Sequence, residues 1–329
     1  MGYKEKQCEK QQNLISKKNL FDGAEANGKY RGKKREFILK NGKFNIYKSI
    51  RDNDDVIKYY KNNGIQWWGG KKPSGHVLSS QIACINHLFP IRTNHDLLLC
   101  ILNKATNKNF KELLPIPEWL DKKEENPHYV AFEAISKNDH LNEGNLSRGS
   151  NCTSVDALMI AKNNEGVWLI PIEWKYTERY ANEDKSTEDR KGEHKGTNSV
   201  GLERLRRYQG LIQKSEQLNK KYKDYQGTIY FQEPFYQLMR QTLWTDLSLK
   251  DFGATKFLHL HIVPEANKEL LNHKFKRFPE FAKGMVENWR SLLKEPDLYL
   301  CKDPKTIFES IKDSYPDLFN YLNERYWKE

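Results

Sequence analysis

The apolar positions of this chain fall into runs with two different periods. Between His76 and Asn103, Leu78, Ile82, Ile85 and the pair Leu88–Phe89 recur every three or four residues, and Pro90 stops the run. That spacing predicts a helix. A second helix is expected from about Thr93, with Thr93 or Asn94 as its cap, and Pro115 and Pro117 then mark a break. Residues 128–135 (HYVAFEAI) read as a strand or a helix end, and a polar loop runs from Ser136 to Ser154. Two runs follow that alternate or are continuously apolar, SVDALMIAK (154–162) and VWLIPIEWKY (167–176), separated by the turn residues NNEG. They predict a β-hairpin. Residues 177–199 are almost wholly polar, with mixed charge, which suits a substrate-closing loop or a plain solvated one. Beyond them the pattern predicts a long helix over roughly 200–222, a strand at GTIYF, a helix around PFYQLMRQTLW and a strand at 256–263 (KFLHLHIV) ended by Pro264. The remainder reads as helical, with Trp289 and Leu292–Leu293 as packing residues. This order predicts an α/β fold, a mixed β-sheet flanked by helices, with a helical and basic N-terminal extension.

The first 35 residues are polar, lysine-rich and without clear periodicity, and they read as an extended arm or loop. Residues 36–62 regain pattern, and 64–75 (GIQWWGGKKPSG) form a Gly/Pro-rich connection. The expected organisation is therefore a basic arm and connection over 1–75, then a single α/β domain over 76–329 with its core at about 128–265. Trp67 and Trp68 in the connection could stack on bases or anchor the loop on the core.

Composition sharpens this picture at a few points. The chain has 329 residues, 37% of them hydrophobic and 12% aromatic, enough to bury a sizeable core. Its net charge is +11, and residues 1–50 hold 13 Lys and Arg against 5 Asp and Glu. Such an excess favours a polyanionic partner, because each neutralised phosphate releases condensed counterions. The five cysteines, Cys8, Cys84, Cys100, Cys152 and Cys301, are scattered and never spaced as CxxC, so a reducing compartment is expected. The start MGYKEKQCEK lacks an apolar signal region and a serine or threonine at position 6, and the longest strongly apolar run, Leu97 to Leu102, is too short to span a bilayer. A cytoplasmic protein with no membrane partner is expected.

The candidate chemistry lies on the hairpin. Asp156 comes early in one strand; Glu173 and Lys175 come near the end of the other. Strand residues two apart share a face, so Glu173 and Lys175 project together while Ile170, Ile172 and Trp174 point the other way. Charges beside strands fit for burial should pair with each other or with a metal. Two nearby carboxylates suit Mg²⁺, which takes its remaining ligands from water and phosphate oxygens. A lysine beside the metal-activated water can orient it or stabilise charge on phosphorus. Phosphodiester hydrolysis follows as the natural reaction.

Asp156 and, seventeen positions on, Glu173-Trp174-Lys175 at a strand end resemble the D…(D/E)xK signature of the PD-(D/E)XK nuclease superfamily. The longer phrase RGSNCTSVDALMI…LIPIEWKYTE resembles a bacterial branch known only as restriction-endonuclease-like. The core motif spans 148–178, with a weaker match through the following helix and the last strand. The resemblance implies a restriction-endonuclease-like fold, a metal bound by Asp156, Glu173 and the Trp174 carbonyl, and Lys175 serving the water. It implies Mg²⁺, with Mn²⁺ as a substitute, and a DNA substrate in restriction, defence or repair, RNA not being excluded. A homodimer would present paired active sites to a duplex. The family's upstream acid falls on Glu133, or alternatively Glu143. A helix following the lysine strand often supplies a Gln or Tyr, here Tyr208 or Gln209. Gln209 falls on the stripe of Leu202, Leu205 and Ile212 and could reach the site or cap a backbone group. Two features depart from the pattern: Pro171 should force a bulge or an edge strand, and Val155 stands where the family's proline often does.

Other candidates are weaker. Arg148, Arg204, Arg206 and Arg207 could contact phosphates or lie on solvated faces. His259 and His261 share a strand face, as zinc ligands or as core histidines. No P-loop, GxGxxG after a strand, GxSxG or HExxH is present, which leaves ATP-driven chemistry, hydride transfer and serine hydrolysis without support. A basic nucleic-acid-binding module with a vestigial site is the rival from a different class.

Overall fold

The computed structural model describes residues 1–30, 32–122, 126–187, 200–219, 221 and 228–328. Its helices and strands run α1 (Tyr3–Ser16), β1 (Gly28–Tyr30), β2 (Lys33–Arg35), α2 (Lys48–Asp52), α3 (Asp55–Asn62), α4 (Ser80–Leu88), α5 (His95–Thr106), β3 (Glu112–Leu114), β4 (Ala131–Ala134), β5 (Val155–Asn163) and β6 (Gly166–Trp174). They continue with α6 (Val200–Lys214), α7 (Phe235–Ser248), β7 (Lys256–Phe257), β8 (His259–Ile262), α8 (Lys268–Leu271), α9 (Met285–Ser291), β9 (Tyr299–Lys302), α10 (Pro304–Phe308) and α11 (Pro316–Leu322). The expected mixed sheet flanked by helices is present. Seven strands form it in the order β3-β5-β6-β8-β9, with β4 also on the free side of β5 and β7 beside β6. The hairpin is its antiparallel centre, and β6, β8 and β9 run parallel.

The two strands of the hairpin sort their side chains by parity. Ala157, Met159, Ala161, Trp168, Ile170, Ile172 and Trp174 join a core with α3, α4, α5, α10 and α11. Leu158, Ile160 and Leu169 join a second core with α7 and α9 on the other face. Asp156 and Glu173 have the parity of the second face, so the alternation that builds the core also aims both carboxylates at α7.

Four expectations give way. The first residues are helical, not extended: α1 buries Gln7, Gln11, Leu14 and Ile15, and the Gln11 side-chain amide donates to the Tyr176 hydroxyl (3.1 Å) and the Arg325 carbonyl (2.7 Å). Its polar sequence hid an amphipathic face whose buried members include glutamines. GTIYF forms no strand; Ile229–Phe231 is a single 3-10 turn, capped by the Thr228 side chain, with Gly227 outside the described residues. The C-terminal region holds a strand, β9, paired with β8. The helix expected over 200–222 ends at Lys214, and Tyr222 lies outside the described residues. So do residues 188–199 of the polar loop.

Pro171 sits in a central strand, neither on an edge nor in a bulge. It pairs with Leu158 in regular register. The Trp174 N–H points toward β5 and that of Lys175 toward β8, so by alternation the ring nitrogen of Pro171 faces β8. There the neighbouring ladder breaks between β7 and β8, at Leu258, and the missing donor falls at that break.

Candidate active site

Asp156 and Glu173 come together where the hairpin's strand ends meet the C-terminal end of β8. The Trp174 N–H donates to Asp156 Oδ2 (2.7 Å), tying the first carboxylate to the peptide beside the second. Lys175 lies just past β6, held by its own N–H to the Ile262 carbonyl (2.8 Å), and its ammonium contacts Glu173 Oε1 at 2.5 Å. Both side chains are buried. Burial by itself would lower the Lys175 pKa, but Glu173, with Tyr180, Glu178 and Asp156, outweighs it and holds the group protonated above its ordinary range.

Helix α7 completes the arrangement. Gln237 accepts from Lys175 Nζ (2.7 Å) and donates to Glu173 Oε1 (2.6 Å). One turn later the Gln241 amide donates to Glu173 Oε2. Sequence reasoning missed this pair. Its trace was two glutamines at i, i+4 on a helix otherwise fit for burial, FYQLMRQTLW. Gln209, expected on a buried stripe, is exposed; of that stripe α6 buries only Ile212, together with Gly201 and Tyr208, and leaves Leu202 and Leu205 half-buried. Tyr208 is buried, but its hydroxyl goes to Glu143 Oε1 (2.7 Å) and not to Asp156 or Glu173.

Glu133 stands opposite Asp156 in the β4–β5 pairing, between the pairs Phe132↔Ala157 and Ala134↔Val155. Its φ is +46°, in the left-handed region that a non-glycine residue enters only when its surroundings hold it there. The consequence is a slip in alternation: Ala131 and Ala134 both join the second core, and the Glu133 carboxylate accepts from Gln81 Nε2 (2.6 Å) and Ser154 Oγ (2.9 Å). Arg148 does the holding. It is 5% exposed, beyond reach of a phosphate, and it donates to the Phe132 carbonyl (2.5 Å) and the Glu133 carbonyl (3.2 Å) while pairing with Asp121 (2.8 Å). The expected phosphate contact is thus a backbone clamp. Glu143, the alternative upstream acid, is buried between Thr153, Tyr208 and Arg240.

The carboxylates repel one another. Burial first, then the charges of Glu173 and Glu133, pushes the Asp156 carboxyl well above the usual range; burial and Glu173 also raise Glu133, against hydrogen bonds from Gln81 and Ser154. Among the described residues no group of three or more His, Cys, Asp or Glu is arranged for a metal ion. A hard cation needs fewer protein ligands: one or two carboxylates, with water and substrate oxygens for the rest, suffice for Mg²⁺. Asp156 and Glu173 fit that demand, since a cation between them would relieve their repulsion. The Trp174 carbonyl, on the side of the strand from which its N–H reaches Asp156, could be a third ligand.

Asp156 and Glu133 line a cleft of about 460 Å³. Gln81, Ser154, Thr177, Glu178, Gln237 and Arg240 contribute to its walls. A larger groove, about 840 Å³, lies between α1 and the C-terminal helices and contains none of Asp156, Glu173 and Lys175. His259 and His261 are buried in the sheet; His261 Nδ1 meets the Tyr299 hydroxyl (2.8 Å). Arg207 pairs with Glu203 on α6 (2.8 Å). No described helix is long and apolar enough to cross a membrane.

No curated protein and no solved structure matches this chain. The family described as Restriction Endonuclease associating with ARP matches residues 6–327. That match includes most of α1, the hairpin, α7 and the C-terminal helices, so nearly the whole chain belongs to this restriction-endonuclease family.

Proposed function

We propose that the chain is a divalent-metal-dependent nuclease that hydrolyses phosphodiester bonds of DNA, in restriction, defence or repair. The observation that carries this reading is the convergence of Asp156, Glu173 and Lys175 at one end of the sheet, with Asp156 and the opposite Glu133 lining a cleft and Glu173 and Lys175 buried beside it. Asp156, Glu173 and the Trp174 carbonyl would hold Mg²⁺, or Mn²⁺ in its place. Such an ion, when bound, polarises the phosphoryl group and lowers the pKa of a bound water. Lys175, kept protonated, places a positive charge where negative charge develops on phosphorus. Gln237 and Gln241 fix the orientation of Glu173 and Lys175, so little rearrangement remains for the reaction itself.

Supercoiled plasmid, linear duplex, single-stranded DNA and RNA, incubated with Mg²⁺, Mn²⁺ or EDTA, test this directly. Cleavage that needs the metal and is lost in Asp156→Ala and Lys175→Ala, with folding and DNA binding intact, is expected. Full activity in either variant would overturn the assignment. One observation favours the rival binding module: Glu173 is already satisfied by Lys175, Gln237 and Gln241. Steeply salt-dependent binding with no metal-dependent product from any substrate would establish it.

A further inference from the structure

The connection WWGG divides its two tryptophans. Trp67 is buried and stacks on Tyr60 with ring centroids 3.9 Å apart. Gly69 and Gly70, at φ +87° and +152°, reverse the chain, and Trp68 is left outside, 47% exposed. Among the described residues Met1, Trp68 and Leu247 are the exposed large hydrophobic side chains, and Trp68 alone of the three lines the cleft that holds Asp156 and Glu133. Tyr30 and His76 line it too. The three rings form a cluster, with centroids 5.7 Å apart for Tyr30–Trp68, 5.1 Å for Tyr30–His76 and 5.7 Å for Trp68–His76.

The cluster is tied to the chemistry through one side chain. Gln81 accepts from the Trp68 N–H (2.9 Å) and donates to Glu133 (2.6 Å). Lys4 lies at the same wall. Burial and the Lys4 charge push His76 down to about 4, so its ring is neutral at pH 7. Its Nδ1 accepts from the Leu78 N–H (3.3 Å), which leaves the hydrogen on Nε2 as a donor. An exposed aromatic face, a neutral donor and a nearby cation make a suitable seat for a planar heterocycle on a phosphate backbone.

We propose that Trp68, with Tyr30 and His76, binds an unpaired nucleobase adjacent to the phosphate held at the carboxylates. This rests on the nucleic-acid reading of the cleft but not on cleavage. A base can stack on Trp68 only when it has left its own stack, so the substrate is either single-stranded there or has a base extruded from the duplex.

Anisotropy of labelled oligonucleotides in EDTA separates these questions from catalysis. The ligands are a single strand, an intact duplex carrying 2-aminopurine and a duplex with one unpaired base. Trp68→Leu, which keeps apolar bulk without a π face, is expected to weaken binding of the single strand and the unpaired-base duplex about tenfold. Trp68→Phe should restore most of the loss. The 2-aminopurine is placed beside the base that would be extruded, because a base stacked on the Trp68 indole is itself quenched; a fluorescence rise in the wild-type complex, absent in Trp68→Leu, identifies extrusion, and no rise identifies a single-stranded substrate. If Trp68→Leu binds all three ligands as wild type does, or loses the same factor on all three with no fluorescence rise, the base site is wrong. If binding depends on Trp68 but no substrate is cut under any metal, the base site stands and the nuclease reading falls.

Discussion

At the scale of single residues, the site is held by the side-chain amides of α7, which both reach Glu173. Gln241 donates to a buried carboxylate, a hydrogen bond of the charged kind worth about 1.5–3 kcal/mol. Gln241→Leu is therefore expected to lower kcat/KM by about 10- to 100-fold while the fold persists, measured on the same DNA substrates as the wild type. An unchanged rate would show that Glu173 does not need its orientation fixed. His87, whose ring packs on that of Trp174 (centroids 4.6 Å apart) on the sheet face opposite the carboxylates, offers a pH test. Its Nδ1 donates to the Ala83 carbonyl (2.7 Å) and its Nε2 accepts from the Trp327 indole (3.2 Å), so only the neutral tautomer fits. Burial pushes it down to about 3. The unfolded chain takes up a proton near pH 6.5 and the folded one does not, so stability is full above 6.5 and falls as pH drops toward 3. The urea midpoint should decline from pH 7 to pH 5, and less steeply in His87→Gln. Equal slopes would assign the decline to other groups.

At the scale of elements, two local irregularities shape the cleft. The left-handed Glu133 breaks alternation in β4, and Arg148 grips the carbonyls on either side of that break. Removing one partner of a buried ion pair leaves the other charge uncompensated, at about 3–5 kcal/mol. Arg148→Met should thus lose that much stability by urea denaturation, whereas a phosphate-contacting arginine would instead lose DNA affinity with stability intact. Helix α1 makes the second case. Deleting residues 1–16 removes Leu14 and Ile15 from the core, about 3–6 kcal/mol between them, and uncovers Tyr176 one residue from Lys175. A truncated chain that melts at the wild-type temperature would show α1 to be a dispensable arm.

At the scale of the whole molecule, the sheet separates two jobs. One face packs α3, α4, α5, α10 and α11 over Trp168, Ile170, Ile172 and Trp174; the other carries α7 and the carboxylates. The +11 charge belongs to this scale as well. If it serves a nucleic acid, log Kd should rise with log salt by about 0.9 for each phosphate neutralised, giving a slope of at least about 4 for several contacts. A flat salt response would leave the charge as a solubility feature.

The sequence by itself determined what depends on short range. Hairpin, turn and strand parity are set by neighbours, so Glu173 and Lys175 could be put on one face and Asp156 on the partner strand before any coordinates, and the cap of α5 was narrowed to Thr93 or Asn94, of which Asn94 does the capping. Pattern failed where polar residues are buried by distant partners. The glutamines of α1 lay in a stretch read as an extended arm until Tyr176 and Arg325 met them; Gln237 and Gln241 went unnoticed in the helix expected around PFYQLMRQTLW until Glu173 lay beneath them. Gln209 failed in the opposite direction, because which stripe of α6 faces inward is decided by what it packs against, here Tyr236 of α7 and Glu143 around Tyr208. Tertiary structure also decided the role of Arg148, a choice between solvent, phosphate and peptide oxygens that no local spacing encodes. A buried polar group is placed by its partner, and here those partners lie tens to hundreds of residues away along the chain.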